Sequence, residues 1–156
     1  NYIWLLESFS TTAVALVDPG DGQAALDYLK QHHLDLSAIL ITHHHQDHVG
    51  GNSLLKRAFP EVKIYGPAGE TIPEMAFPVK EGDQVVLDDL GLTLQVLEVP
   101  GHTAGHIAYL IEDKLFCGDT LFAGGCGRVF DGTFEDLAAS LRRIGGLPDT
   151  PTILIQ

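Results

Sequence analysis

The sequence predicts an α/β fold in which two β-sheets pack face to face, with helices on the outer faces. Short apolar runs rich in β-branched residues recur along the chain, and only a few helical segments separate them. The chain has 156 residues, of which 45% are hydrophobic and 19% are charged. This size and composition match one globular domain, so we expect residues 1–156 to form a single domain.

The predicted elements are short and alternate along the chain. Strands are expected at 2–6, 13–17, 39–41, 62–65, 84–87, 92–97, 107–110, 115–117 and 152–155, and helices at about 23–32, 52–59 and 133–143. Thr133 and Asp136 resemble a capping box at the start of the last helix. Residues 88–91 and 112–114 have the composition of hairpin turns. Residues 68–78 show little periodicity and are expected to form a loop.

Bulk properties exclude several classes of partner. The formal net charge of −12 argues against nucleic acid, which is bound by basic surfaces. No apolar run is long enough to span a bilayer, and no secretory signal is visible. Two cysteines are too few for a disulfide framework and favour a reducing compartment. We therefore expect a cytoplasmic monomer with no membrane partner.

A cluster of metal-ligand residue types follows the strand predicted at 39–41. The run THHHQDHVGG occupies residues 42–51. In an extended segment, His43 and His45 face the same way and His44 faces away. Asp47 and His48 follow where the chain turns toward a helix, so they can approach from another direction. This layout suits two divalent ions side by side.

Two further segments bring ligand types to strand ends. His102 follows a strand and lies near glycines, so it could join the first ion, whereas His106 better suits hydrogen-bonding support of the ligands. Asp119 alone would be read as a turn residue, but beside two ions it could serve as a bridging carboxylate. Arg128 follows a glycine-rich run and is either a surface arginine or a group that binds an anionic substrate.

Together these motifs resemble the metallo-β-lactamase superfamily. The resemblance rests on THHHQDHVGG at 42–51, GHTAGH at 101–106 and FCGDT at 116–120. The run FCGDTLFAGGCGR at 116–128 is similar to the glyoxalase II family, the hydroxyacylglutathione hydrolases, as are residues 1–4 and 17–20. The resemblance implies an αββα sandwich of two mixed sheets with the metals at one edge, and it covers nearly the whole chain.

The resemblance also implies roles for individual residues. His43, His45 and His102 would hold the first metal, Asp47 and His48 the second, and Asp119 would bridge them. Arg128 falls near the glutathione moiety of family members. Phe130 falls near a position where some members have a tyrosine, whose hydrogen bond would be absent here.

The family pattern continues beyond the residues of this sequence. Family members carry a Gly-His-Glu-Tyr segment, whose histidine completes the second metal site, and then a helical domain that supplies much of the glutathione pocket. We therefore expect a chain truncated at its C-terminus, in which the first ion has four protein ligands and the second only three. The second site should be the weaker one.

The resemblance implies hydrolysis of a glutathione thioester such as S-D-lactoylglutathione, by a hydroxide shared between two ions. Zinc is the expected metal, although iron or manganese could occupy such a site. Asp47 and Asp119 would be the catalytic carboxylates, and the products would be a hydroxy acid and glutathione. One alternative is a persulfide dioxygenase, with one iron held by two histidines and one aspartate. Another is a metal-binding module with little turnover.

Overall fold

The computed structural model describes all 156 residues. The strands are β1 (Trp4–Glu7), β2 (Ala13–Val17), β3 (Asp35–Leu40), β4 (Lys63–Pro67), β5 (Phe77–Val79), β6 (Gln84–Leu87), β7 (Leu92–Glu98), β8 (Ile107–Ile111), β9 (Lys114–Phe116), β10 (Leu121–Phe122), β11 (Gly125–Cys126) and β12 (Thr152–Leu154). The helices are α1 (Gly22–Gln31), α2 (Gln46–Val49), α3 (Asn52–Ala58) and α4 (Phe134–Gly145), with a short 3-10 turn at Gly118–Thr120.

Two five-stranded sheets form the centre of the molecule. The first has the strand order β1-β2-β3-β4-β5, in which only the β1–β2 pair is antiparallel. The second has the order β12-β9-β8-β7-β6, in which only the β12–β9 pair is parallel. Both sheets are therefore mixed, as expected. A small hairpin of β10 and β11 lies apart from them.

Because side chains alternate between the two faces of a strand, the buried apolar residues form three separate clusters. Val17 and Leu40 face the second sheet, in a core that also contains Leu94 and Tyr109. Neighbouring residues of β2 and β3 point the other way and pack against α1 and α3. The outer face of the second sheet packs against Ile144 of α4. The order of layers is helices, sheet, sheet, helix, which confirms the predicted αββα sandwich.

The capping prediction for the last helix is confirmed. The backbone amide of Asp136 donates to Thr133 Oγ1 at 3.0 Å, and the helix continues to Gly145 rather than ending at Arg143. The hairpin turns predicted at 88–91 and 112–114 connect β6 to β7 and β8 to β9. Gly91 has a φ of +67°, which favours glycine.

The loop predicted for residues 68–78 is wrong at its end, where β5 begins. Pro78 disfavours a strand because proline cannot donate a ladder hydrogen bond. β5 is the edge strand of its sheet, so the missing donor is tolerated there. Phe77 also stacks on Tyr65 of the neighbouring β4, with ring centroids 5.0 Å apart. The strand predicted at 39–41 is longer than expected and begins at Asp35.

The helices of this fold are short. The longest, α4, has 12 residues, and none has the length and apolar character that crossing a membrane requires.

Candidate metal centre

The predicted ligand residues meet at one edge of the sandwich. They lie just after the C-terminal ends of β3 and β9 and in the loop after β7. The amide of Ile107 donates to the Thr42 carbonyl at 3.0 Å and joins the two sheets at this edge. Strand ends from both sheets therefore deliver side chains to one place. The residues brought together are His43, His45, Asp47, His48, His102, His106 and Asp119.

Three imidazoles form the first group of donors. One nitrogen from each of His43, His45 and His102 lies within 4.8 Å of the others. His102 Nε2 and His45 Nδ1 are 3.0 Å apart. His43 is fully buried and His102 nearly so, whereas His45 is partly exposed. Such a set can hold a divalent cation, with an open side toward solvent.

Hydrogen bonds orient two of these imidazoles with a free nitrogen toward the group. His102 Nδ1 donates to the Arg128 carbonyl at 2.6 Å, so its Nε2 carries the lone pair. The Thr42 hydroxyl donates to Asp18 at 2.7 Å and lies 3.0 Å from His43 Nδ1, from which it can accept. His43 Nε2 is then an unprotonated nitrogen, and it is buried with no hydrogen-bond partner. A buried lone pair without a donor fits a cation.

Carboxylates and one imidazole form the second group. His48 Nε2 lies 3.2 Å from Asp119 Oδ1 and 3.7 Å from Asp47 Oδ2. Asp119 also approaches the first group, with Oδ2 at 3.4 Å from His102 Nε2. Its Oδ1 makes no well-directed hydrogen bond despite being buried, so it retains the capacity to accept. Asp119 thus lies between the two groups of donors, close to both.

Burial and neighbouring charges shift the pKa values of the histidines in different directions. Burial, followed by the proximity of other histidines, lowers the pKa of His43 far below its usual value, so the ring is neutral. Burial and His102 likewise lower the pKa of His106 to about 3. Burial opposes the charge on His48, but the nearby carboxylates of Asp119 and Asp18 outweigh it and raise its pKa to about 10. Without a cation, the carboxylates therefore hold a proton on His48.

Asp18 is a buried residue of the site to which the sequence analysis gave no role, although residues 17–20 were part of the family resemblance. Its Oδ1 accepts from the Thr42 amide at 2.8 Å, and its Oδ2 lies 3.0 Å from His48 Nδ1. Asp18 has a φ of +50°, an uncommon conformation for a residue with a side chain. The strand order could have indicated this role. β2 and β3 are parallel neighbours, so the residue after β2 lies beside the histidine loop that follows β3.

Two more residues near the site were missed. Asn1 Nδ2 donates to Asp47 Oδ2 at 2.6 Å and lies 3.2 Å from His48 Nε2. Glu70 accepts hydrogen bonds from the loops that carry His45 and His102. The family resemblance included residues 1–4 but gave Asn1 no role, and no pattern marked Glu70, because each contact depends on chain segments that are distant in sequence.

The remaining predicted residues lie around the two groups. His106 Nε2 accepts from the Asp119 amide at 3.2 Å, and its ring stacks on His43. The ring of Phe130 contacts those of His45 and His102, with centroids 4.9 and 5.2 Å away. The Arg128 guanidinium lies 6.0 Å from the Phe130 ring, and both side chains are exposed.

Comparison with known proteins gives consistent matches. The sequence profile of the Metallo-beta-lactamase superfamily matches residues 1–154. A hydroxyacylglutathione hydrolase from Shewanella halifaxensis is 51% identical over 154 residues, which are 98% of this chain and 60% of the relative. The chain thus spans about three fifths of the length of that relative.

Two solved structures are similar over almost the whole chain. The crystal structure of ETHE1 from Myxococcus xanthus has a TM-score of 0.86 and 30% identity, covering 99% of this chain and 69% of the other. The structure of TTHA1623 in a di-iron-bound form has a TM-score of 0.80 and 30% identity, covering 98% and 85%.

Proposed function

Since this chain belongs to the metallo-beta-lactamase superfamily, we propose that it hydrolyses a glutathione thioester, of the S-D-lactoylglutathione kind, to a hydroxy acid and glutathione. The observation that carries the proposal is the paired donor group around Asp119, in a chain 51% identical to a hydroxyacylglutathione hydrolase. Thioester hydrolysis needs an activated water and a polarised carbonyl group. Divalent cations, when bound, supply both.

The proposed ligands divide between two ions. His43, His45 and His102 would hold one ion, Asp47 and His48 the other, and Asp119 would contact both. Zinc is the proposed metal because imidazole and carboxylate ligands suit it. The di-iron-bound form of TTHA1623 is consistent with two ions in a related fold.

The chain's own residues supply orientation and proton acceptance. The side chain of Asp47 is 64% exposed at the open side of the site, where it can accept a hydrogen bond from an incoming water. Arg128 Nη atoms, on an exposed side chain, can pair with the carboxylates of a glutathione moiety. The Phe130 ring covers one side of His45 and His102 and can exclude water from that side.

The two ions should bind with unequal strength. The first group offers three imidazoles, and the second offers one imidazole and one carboxylate of its own. His48 must also lose a proton before it can bind a cation. A zinc titration of the metal-free chain should give two separated affinities, whereas two equal, tight sites would overturn this assignment.

Hydrolysis of S-D-lactoylglutathione by the chain, with and without added zinc, tests the function. We expect turnover that depends on zinc and is lost in His102→Ala but retained in His32→Ala, whose imidazole lies at the end of α1. One bound iron per chain, together with oxygen consumption when a persulfide is the substrate, would instead identify a dioxygenase. Metal binding without turnover of any thioester would identify a binding module.

A further inference from the structure

Glu70 lies outside every motif of the site, yet it contacts two of the loops that build it. Its side chain is only 4% exposed. It precedes β5 in the segment that the sequence analysis treated as a featureless loop. A buried carboxylate is costly unless its oxygens are hydrogen-bonded, so the partners of Glu70 are informative.

Each carboxylate oxygen serves a different loop. Glu70 Oε2 accepts from the His44 backbone amide at 2.6 Å and lies 2.9 Å from His44 Nδ1. Glu70 Oε1 accepts from the Thr103 hydroxyl and from the Gly105 amide at 3.2 Å. His44 lies between His43 and His45, and Thr103 directly follows His102. One side chain therefore ties the loops that carry all three imidazoles of the first group.

Glu70 packs closely against the loop that carries His102 and Gly105. A Cβ atom placed on Gly105 would lie 2.5 Å from Glu70 Cγ, so any side chain there would displace the carboxylate. His45 Nδ1 and His102 Nε2, which face each other at 3.0 Å, belong to loops that come from different sheets. One backbone hydrogen bond, from the Ile107 amide to the Thr42 carbonyl, joins the same two segments at their base. Glu70 joins them further along, at His44 and beside His102.

We propose that Glu70 is a positioning residue that holds the histidine loops at the separation a cation requires. The inference rests on the proposed metal role of His45 and His102, and it does not depend on the identity of the substrate. A glutamine at position 70 can accept from Thr103 and Gly105 through its oxygen. Its amide nitrogen would then face the donating His44 amide, so one loop must lose its contact.

The test compares zinc affinity, measured by competition with a chromophoric chelator, in the chain and in Glu70→Gln. We expect the affinity for the first, more tightly bound zinc ion to fall roughly 10–100-fold, which is typical when a group that orients metal ligands is removed. Glu61→Gln makes the same chemical change at an exposed glutamate and should leave zinc affinity unchanged. Thermal unfolding of the metal-free variants is measured in parallel.

The outcomes separate a positioning role from a structural one. A lower melting temperature of metal-free Glu70→Gln with unchanged zinc affinity would overturn the proposal. If Glu70→Gln does not fold, Thr103→Ala removes only one of the hydrogen bonds to Glu70 and should weaken zinc binding in the same direction. Unchanged zinc affinity in Thr103→Ala would then overturn the proposal. Failure of the wild-type chain to bind any divalent cation would instead overturn the proposed function.

Discussion

His48 Nδ1 lies 3.0 Å from Asp18 Oδ2, and both side chains are almost completely buried. The contact directs His48 Nε2 toward Asp119 and Asp47. A carboxylate on the far nitrogen of a ligand histidine fixes its tautomer and its orientation. Asp18 thus connects the strand β2 to the second group of donors.

Replacement of Asp18 by asparagine should lower the affinity for the second ion more than the affinity for the first. Asparagine tolerates the left-handed backbone at this position, so the turn should persist. Its amide cannot accept from the Thr42 amide, the Thr42 hydroxyl and His48 together. We expect bound metal per chain, measured after dialysis, to fall toward one ion. The exposed Asp27→Asn on α1 should retain the wild-type value, and an unchanged stoichiometry in Asp18→Asn would argue against the orienting role.

Replacement of Tyr109 by phenylalanine should destabilise the fold by about 1–2 kcal/mol, because it leaves a buried carbonyl without its donor. The Tyr109 hydroxyl donates to the Ile41 carbonyl at 2.8 Å, and the tyrosine is fully buried between the two sheets. Urea unfolding measures the loss. Tyr28→Phe, at a half-exposed position on α1, is the matched control and should have little effect. Equal stabilities of the two variants would show that this hydrogen bond contributes nothing.

The two thiols should differ sharply in reactivity. Burial raises the pKa of the Cys117 thiol to about 11, whereas Cys126 is exposed on the β10–β11 hairpin. Iodoacetamide at pH 8 should therefore add one label to the native chain and two in denaturant, as read by intact mass. Cys126→Ser should accept no label when native. Because hydrolysis is proposed without a covalent nucleophile, this variant should also retain turnover, and loss of turnover with metals still bound would contradict the mechanism.

The ion pair of Glu81 and Arg143 should contribute a stability that depends on pH. Hydrogen bonds from Arg143, at 2.5 and 2.9 Å, lower the pKa of Glu81 below its usual value. A depressed carboxyl pKa stabilises the fold above the unfolded pKa of about 4.3, and the effect disappears as the pH falls through the folded value. Both side chains are more than one third exposed, so the contribution at pH 7 should be below about 1 kcal/mol.

Urea unfolding of wild type and Glu81→Gln between pH 7 and pH 3 measures this effect. The difference between them should shrink as the solution becomes acidic, because the wild-type carboxylate is then protonated. Glu61→Gln, which has no arginine partner, should show no such trend. A difference that grows on acidification would mean that the sign assigned to the pair is wrong.

Sequence patterns predicted the layered fold and the superfamily, and both are confirmed. They succeeded because strand alternation and the spacing of histidines are local features, read within a few residues. Asp18 and Glu70 were missed because their partners are 24 to 35 positions away. Their importance arises only when the sheets bring the strand ends together. The strand β5 was missed because the tolerance of Pro78 depends on its being at a sheet edge, which topology decides.

His45 and His102 are 57 positions apart and follow strands of different sheets. During refolding, pairing of strands within either sheet alone leaves the donors of one cation separated. Metal capture should therefore be a late kinetic event that reports docking of the sheets, since contacts distant in sequence close slowly. A cation that binds only after docking is absent from the transition state. It should slow unfolding without accelerating folding, so metal supply governs how long the folded chain persists.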